Sequence, residues 1–237
     1  MPEGPAPVRW PCPGAATEGE WALSSADSAH RRGDSLPCVL IVPPLFDEMN
    51  RTRHMLAGVM RLLAQAGIDS VLPDLPGCGE SVQDFSAQSL NAWRAAMEAA
   101  ARHFAASHVL TLRGGALVAP PALPGWELEP CSGHALLRTM LRAHTFAQRA
   151  AGRRVDSAAL LEQGRETGLE LAGYRCGAAL IAGLCGAEPA GEGRRVLSLS
   201  DLGQSAPWLR AEPAPAPALA QALVATIRAD LAREDAA

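Results

Sequence analysis

Leu110-Thr-Leu-Arg113-Gly-Gly115-Ala116 is the stretch on which both fold and function turn. Val109-Leu-Thr-Leu112 reads as a short buried strand, and Arg113-Gly114-Gly115 stops it with a sharp turn. Upstream, Cys38-Val-Leu-Ile-Val42 is another buried strand, ended by Pro43-Pro44. Residues 68–72 form a third, followed by the turn Asp74-Leu-Pro-Gly77-Cys-Gly79-Glu-Ser81. Helices fill the gaps. Met55, Val59, Leu62 and Leu63 fall at helical spacing within 51–66, with Gly67 closing the helix, and 88–106 reads as a second one. Strand, helix, strand, helix, strand within roughly 75 residues implies an α/β chain with a doubly wound, mostly parallel sheet. Ligands of such sheets sit at the carboxyl ends of the strands, here the loops 43–50, 73–81 and 112–116.

Downstream, Gly125-Trp-Glu-Leu-Glu-Pro130 reads as a fourth strand, and 135–151 as an arginine-rich amphipathic helix. Residues 157–186 hold a short helix, an extended piece at 169–172 and a helix after Tyr174. The region of about 133–190 is therefore expected to be a small helical lid. Residues 195–199 form a last strand ending at Asp201, and a Pro/Ala linker at 212–218 leads to a helix at 219–232. Residues 1–36, rich in Pro, Gly, Ser and Ala, read as a variable leader or weak hairpin, with a strand at Trp21-Ala-Leu23 and a turn at 31–35. The expected organisation is thus a leader, 1–36, and one domain, 37–237.

A chain of 237 residues with 48% hydrophobic and only 4% aromatic content builds its core from Leu, Val, Ile and Ala. All 21 basic residues counted as Lys or Arg are arginine, which reads as a bias toward GC-rich codons. A net charge of -4 gives no broad electrostatic reason to bind nucleic acid or anionic lipid. The six cysteines form no Cys-x-x-Cys pair and have no zinc-ligand spacing with histidine. No metal or cofactor is expected, and free thiols suit a reducing compartment. Neither a signal peptide nor a membrane span is visible, so a cytoplasmic protein is the expectation.

The loop at 74–81 fits the Asp-x-x-Gly-x-Gly-x-Ser turn of many α/β-hydrolases, and 111–115 stands where that fold carries its nucleophile elbow, Gly-x-Ser-x-Gly. Here the pattern is Thr111-x-Arg113-x-Gly115. A guanidinium stays protonated and has no lone pair to attack a carbonyl. The order in this fold is nucleophile, acid, histidine, yet none of the six histidines follows Asp201. Asp201 sits where the acid would be, or is a turn aspartate. Two weak nucleophile candidates remain. Cys78 lies on a site-facing loop with no histidine near in sequence, and Ser132 stands close to His134 or simply caps a helix.

Arg113 should point into the pocket above the sheet, where an unpaired charge is costly. Glu48 is the expected partner, with Asn50 as a second polar group. Backbone N–H groups of Leu45, Phe46 and Gly114 occupy oxyanion-hole positions, and Tyr174 either lines the pocket or packs. The Glu48–Arg113 pair reads either as a structural salt bridge or as part of a site for a small anionic or acyl ligand. Arg138, Arg142, Arg149, Arg153 and Arg154 form a basic stripe, either a solvated face or a docking face for an acidic partner or glycan phosphate.

A set of segments in fixed order carries a more specific resemblance: Pro43-Pro44-Leu-Phe-Asp-Glu48-Met49-Asn50-Arg-Thr-Arg53, Asp74-Leu-Pro-Gly-Cys-Gly79, Leu112-Arg113-Gly-Gly115-Ala116, Glu129-Pro-Cys-Ser132-Gly133-His-Ala-Leu-Leu-Arg138 and Ala172-Gly173-Tyr174. Over roughly 37–232 the chain resembles the exosortase A system-associated hydrolase 2 family. The resemblance implies an α/β-hydrolase fold, an arginine at the elbow, and partners in PEP-CTERM protein sorting and exopolysaccharide production in Gram-negative bacteria. The chain departs from the pattern at Pro120-Pro121, which breaks the helix after the elbow, and at the short 201–207 segment. Fold alone does not establish activity. Three functions compete: a catalytically silent binding accessory, an active hydrolase or acyl transferase on esters or envelope glycolipids, and a structural interaction protein.

Overall fold

The computed structural model describes residues 4–15, 19–25, 37–189, 191, 193–210, 212, 214–234 and 236. In chain order it contains β1 (Ala6–Trp10), β2 (Glu20–Ser24), β3 (Cys38–Val42), α1 (Asp47–Gln65), β4 (Asp69–Pro73), α2 (Leu90–His103), β5 (His108–Leu112) and β6 (Gly125–Leu128). There follow α3 (Gly133–Ala150), α4 (Ser157–Thr167), β7 (Leu169–Leu171), β8 (Tyr174–Cys176), α5 (Ala178–Cys185), β9 (Arg195–Leu197) and α6 (Pro217–Glu234).

Every residue of β3 is buried, because helices cover both faces of the sheet. Alternation along the strand divides its side chains. Val39 and Ile41 join Leu110, Leu112 and Trp126 against α1 and α6, through Met55, Val59, Leu63, Leu223 and Ile227. Leu40 and Val42 face the other layer, with Trp93 and Met97 of α2, Leu136 and Leu137 of α3, and Leu180, Ile181 and Leu184 of α5. The seven-stranded sheet runs β1-β2-β4-β3-β5-β6-β9. From β4 to β9 all neighbours are parallel. This is the doubly wound, mostly parallel arrangement that the strand pattern predicts.

Of the two expectations for the N-terminal segment, leader or weak hairpin, its described part forms the hairpin. β1 and β2 form a hairpin, and β2 pairs antiparallel with β4, so both strands extend the sheet. Trp10 and Ala22 are buried there. Separating 1–36 from the domain is therefore not kept in its described part; the turn expected at 31–35 lies outside the described residues. The short strand expected at Trp21-Ala-Leu23 is the centre of β2, where burial alternates along Glu20–Ser24.

Between β6 and β9 the chain makes the small lid: α3, α4, the β7–β8 hairpin and α5. Its feet are joined, since Gly133 N–H donates to Ala187 O at 2.9 Å.

Below the elbow only a 3₁₀ turn, Arg113–Leu117, follows β5. Pro120-Pro121 prevents continuation, and a buried arginine replaces the missing helix. Arg194 donates to Glu127 Oε1 at 3.1 Å, to Leu123 O at 3.1 Å and to Pro120 O. Its side chain is 1% exposed and that of Glu127 3%. Glu127→Ala, which strands the arginine charge in the interior, is expected to destabilise the protein by about 3–5 kcal/mol. Glu127→Leu combined with Arg194→Met should be closer to wild type than the single change. Urea unfolding of the two variants measures this; equal midpoints would remove the pair from the account.

Candidate functional site

Residue 113 has to turn the chain back under the sheet within one step. Its φ is 52°, in the left-handed region that a side chain enters only when the surroundings enforce it. The enforcement comes from β3. A Cβ on Gly115 would stand 2.5 Å from Pro43 O and 2.7 Å from Val42 O. One on Gly114 would stand 2.6 Å from Leu136 Cδ1, under the first turns of α3. The elbow thus keeps its small residues on the far side of the apex, and Arg113 occupies the apex itself.

The guanidinium is held on three sides. Nε donates to Glu48 Oε2 at 3.2 Å and Nη2 to Glu48 Oε1 at 3.5 Å, while Nη1 donates to Glu129 O at 3.3 Å. Its carbon lies 5.3 Å from the Trp208 ring centre. Arg51 fastens that ring's loop, donating to Trp208 O at 3.3 Å and Arg210 O at 2.9 Å. The side chains of Arg113 and Glu48 remain 24% and 21% exposed, so the pair is partly open to solvent. Burial pushes the Glu48 carboxyl above its ordinary value, and the neighbouring Arg113 opposes that rise without cancelling it.

The surrounding backbone offers further donors. Leu45 and Phe46 are buried, and Phe46 has φ 59° where the chain enters α1. Among the described residues, the N–H groups of Leu45, Phe46 and Gly114 donate to no side chain, and to no backbone acceptor outside regular elements. The Phe46 ring packs with Phe85, Trp93 and Tyr174, and the Tyr174 ring centre lies 5.5 Å from that of Phe46. Burial, then Asp47, raises the Tyr174 hydroxyl to about 12. Tyr174 therefore packs, against Phe46 and Phe85.

Four candidates from the sequence do not reach this constellation. Asn50 is exposed and shows no hydrogen bond among the described residues; two positions along α1 from Glu48 it is turned away by about 200°. Burial, reinforced by Asp74 and Glu20, raises the Cys78 thiol to about 12, which disfavours the thiolate a nucleophile needs. Ser132 is the N-cap of α3, accepting from Ala135 N–H at 3.2 Å, while His134 is exposed. Asp201 is exposed in the turn after β9 and bonds only through its own N–H, to Ser198 Oγ at 3.1 Å. Among the described residues no histidine hydrogen-bonds to it.

Sequence reading missed Glu129, Trp208 and Cys131. Glu129 carries φ 48° and accepts Leu199 N–H at 2.7 Å, which locks its carbonyl toward Arg113. Cys131 lies within electrostatic reach of the pair. Burial raises its thiol to about 11, with Arg113 lowering it and Glu48 raising it. Both residues lie just past β6, a strand end in the carboxyl-end row, and that position was the available signal.

One serine–histidine–carboxylate array does exist among the described residues. Ser107 Oγ lies 2.9 Å from His108 Nδ1, and His108 Nε2 lies 2.9 Å from Glu234 Oε2. It stands at the amino end of β5, away from the elbow. Its hydroxyl is committed to Cys38, accepting from its N–H at 3.1 Å, so the array staples α6 and β3 to β5. No group of three or more His, Cys, Asp or Glu side chains forms a metal site among the described residues.

No protein-family model matches the sequence, and no curated protein matches it. Solved structures do. Est1E from Butyrivibrio proteoclasticus, determined with ferulic acid bound, is similar at a TM-score of 0.55 and 11% identity, over 93% of this chain and 98% of that one. Alpha/beta hydrolase domain-containing protein 10 from mouse gives 0.52 and 10%, over 98% and 99%. Epoxide Hydrolase A from Mycobacterium thermoresistibile is covered over only 39% of its length, at 19% identity and a TM-score of 0.38. At these identities the likeness concerns the fold alone, which is that of α/β-hydrolases.

Removing the cation tests the pair. Arg113→Ala is expected to cost about 1–3 kcal/mol near neutral pH, between the surface and buried limits for ion pairs. Without Arg113 the Glu48 carboxyl rises further above its unfolded value. A raised group stabilises the fold below the unfolded value, near 4.3, and loses that contribution as pH climbs through the folded one. The deficit of the variant should therefore be larger at pH 8 than at pH 5 in urea titrations. A deficit independent of pH would mean that Glu48 does not depend on Arg113.

Proposed function

We propose that this chain is a non-hydrolytic member of the α/β-hydrolase fold that binds a small anionic or acyl ligand, or a partner carrying such a group, at Arg113. One observation carries the reading: a clamped guanidinium fills the apex from which acyl chemistry would start. Two further absences support it among the described residues: no histidine stands beside Cys78, Ser132 or Cys131, and the only hydroxyl–imidazole pair is the staple at the opposite end of β5. The guanidinium has five N–H donors, and three meet protein acceptors, which leaves two for a carboxylate or phosphate. The N–H groups of Leu45, Phe46 and Gly114 complement them, and the Phe46, Phe85 and Tyr174 rings suit an apolar portion.

The resemblance to exosortase A system-associated hydrolases supports extending this reading to an accessory of PEP-CTERM sorting and exopolysaccharide production, in the cytoplasm. No helix among the described residues is long and apolar enough to cross a membrane. In that setting the ligand class is a glycan phosphate or an acyl thioester of coenzyme A. The hydrolase or acyl-transferase alternative needs a nucleophile with a base beside it.

Wild-type protein is expected to hydrolyse short p-nitrophenyl esters no faster than a heat-denatured control, and to resist fluorophosphonate labelling. Covalent labelling at Ser132 or any other described serine would overturn the reading. Screening anionic sugars and acyl-CoA by thermal shift gives the positive result. At about a hundredfold excess over Kd a ligand adds about 2.7 kcal/mol, which raises Tm by roughly 5–10 °C in a chain of this size. Arg113→Lys, which keeps the charge and loses the planar fork, should reduce that shift.

A further inference from the structure

Charge on this molecule is unevenly distributed. The chain as a whole is at -4, yet residues 133–155 contain five arginines, Arg138, Arg142, Arg149, Arg153 and Arg154, and no Asp or Glu. All five are exposed, and none takes part in an ion pair among the described residues. The nearest following acid, Asp156, is engaged as the N-cap of α4, accepting from Ala158 N–H at 2.9 Å.

Helix geometry aligns these groups. At about 100° per residue, Arg138, Arg142, residue 146 and Arg149 fall within an arc of roughly 80° on α3. The opposite side carries Leu136, Leu137, Met140 and Leu141 into the core. The helix end then folds back, with Arg153 N–H donating to Gln148 O at 2.9 Å and Gly152 at φ 75°, which brings Arg153 to the same end. Arg149, Arg153 and Arg154 line an open groove of about 820 Å³. At the middle of the stripe stands Phe146, 77% exposed. It lies on the far side from the core face, so no local settling of the helix buries it.

We infer that this face of the lid is a docking surface for an anionic lipid bilayer. Uniform positive charge attracts phosphate headgroups, long arginine stems reach them, and a lone aromatic enters the boundary between headgroups and acyl chains. Charge complementarity alone also admits an acidic protein. Such an interface, however, needs about 800 Å² per partner around an apolar centre, whereas here one phenyl ring stands among guanidinium groups. A bilayer demands no matching shape. The global charge, which argues against anionic lipid, averages over a surface that the bilayer never meets as a whole; beyond about 10 Å at 0.1 M salt the remaining acids are screened.

Flotation of the full chain with vesicles tests this. Binding is expected to mixed phosphatidylcholine–phosphatidylglycerol vesicles, none to phosphatidylcholine alone, and loss of binding in about 1 M salt, where charges are screened within roughly 3 Å. Each arginine is worth about fivefold, so Arg142→Gln/Arg149→Gln/Arg153→Gln should weaken partitioning by about a hundredfold. The same three positions changed to lysine should keep it. Phe146→Ser should weaken binding without changing its salt dependence. All these side chains are exposed, and an unchanged Tm verifies the fold. Absence of binding to the mixed vesicles overturns the inference, as does a glutamine variant that binds like wild type. Capture of soluble polyglutamate without vesicle binding overturns it in favour of an acidic protein partner.

Discussion

Where β5 ends, the chain must reverse beside β3 with almost no room. Carbonyl oxygens of Val42 and Pro43 stand so close to Gly115 that a methyl group there would overlap them. That crowding makes residue 113 the hinge of the turn and drives its φ to 52°. An L side chain held in this conformation costs of order 1–3 kcal/mol and persists only under enforcement from its surroundings. Here the enforcement has two parts. Backbone packing fixes the bend, and the guanidinium is tied to Glu48, Glu129 and the Trp208 ring. The first turn of α1, the end of β6 and the loop before α6 therefore converge on a single side chain. In an esterase of this fold the same strain presents a hydroxyl to substrate. In this chain it presents a cation already committed to its neighbours.

Most of the framework is legible in the residues themselves. Cys38–Val42, Asp69–Pro73 and His108–Leu112 are short apolar runs ended by Pro or Gly, and their burial on both faces left one sensible arrangement. The Glu48–Arg113 contact followed from the same geometry, since adjacent parallel strands bring their following loops together. Asn50 was misplaced because it was read from its nearness in sequence, whereas helical phase sets direction. Arg194 and Glu127 escaped notice for a different reason. Their pairing spans 67 residues, and nothing local to either distinguishes a buried charge from a surface one.

Polar groups in the interior follow one rule throughout. Glu20, almost fully buried, receives Ser81 Oγ and Gln83 Nε2, each at 2.8 Å. Asp74 receives Arg53 at 2.7 Å and the N–H of Glu80 at 3.1 Å. These bonds explain the spacing in 74–81, because a Cβ on Gly79 would collide with the Asp74 carboxyl. Two exceptions remain among the described residues, Trp10 Nε1 and Thr111 Oγ1. Thr111 stands two residues before the apex, where the fold ordinarily places glycine; its hydroxyl is buried without a partner, and the structure offers no physical account of it.

The joined feet of the lid have a consequence for how the molecule can vary. β6 and β9 lie side by side and are cross-braced by Glu127 and Arg194, and the insertion between them closes on itself at Gly133 and Ala187. Whatever the intervening stretch does, the sheet is sealed beneath it. A cut or a lengthening at the exposed bend between α3 and α4 would leave the framework intact, so the insertion can change without disturbing the scaffold.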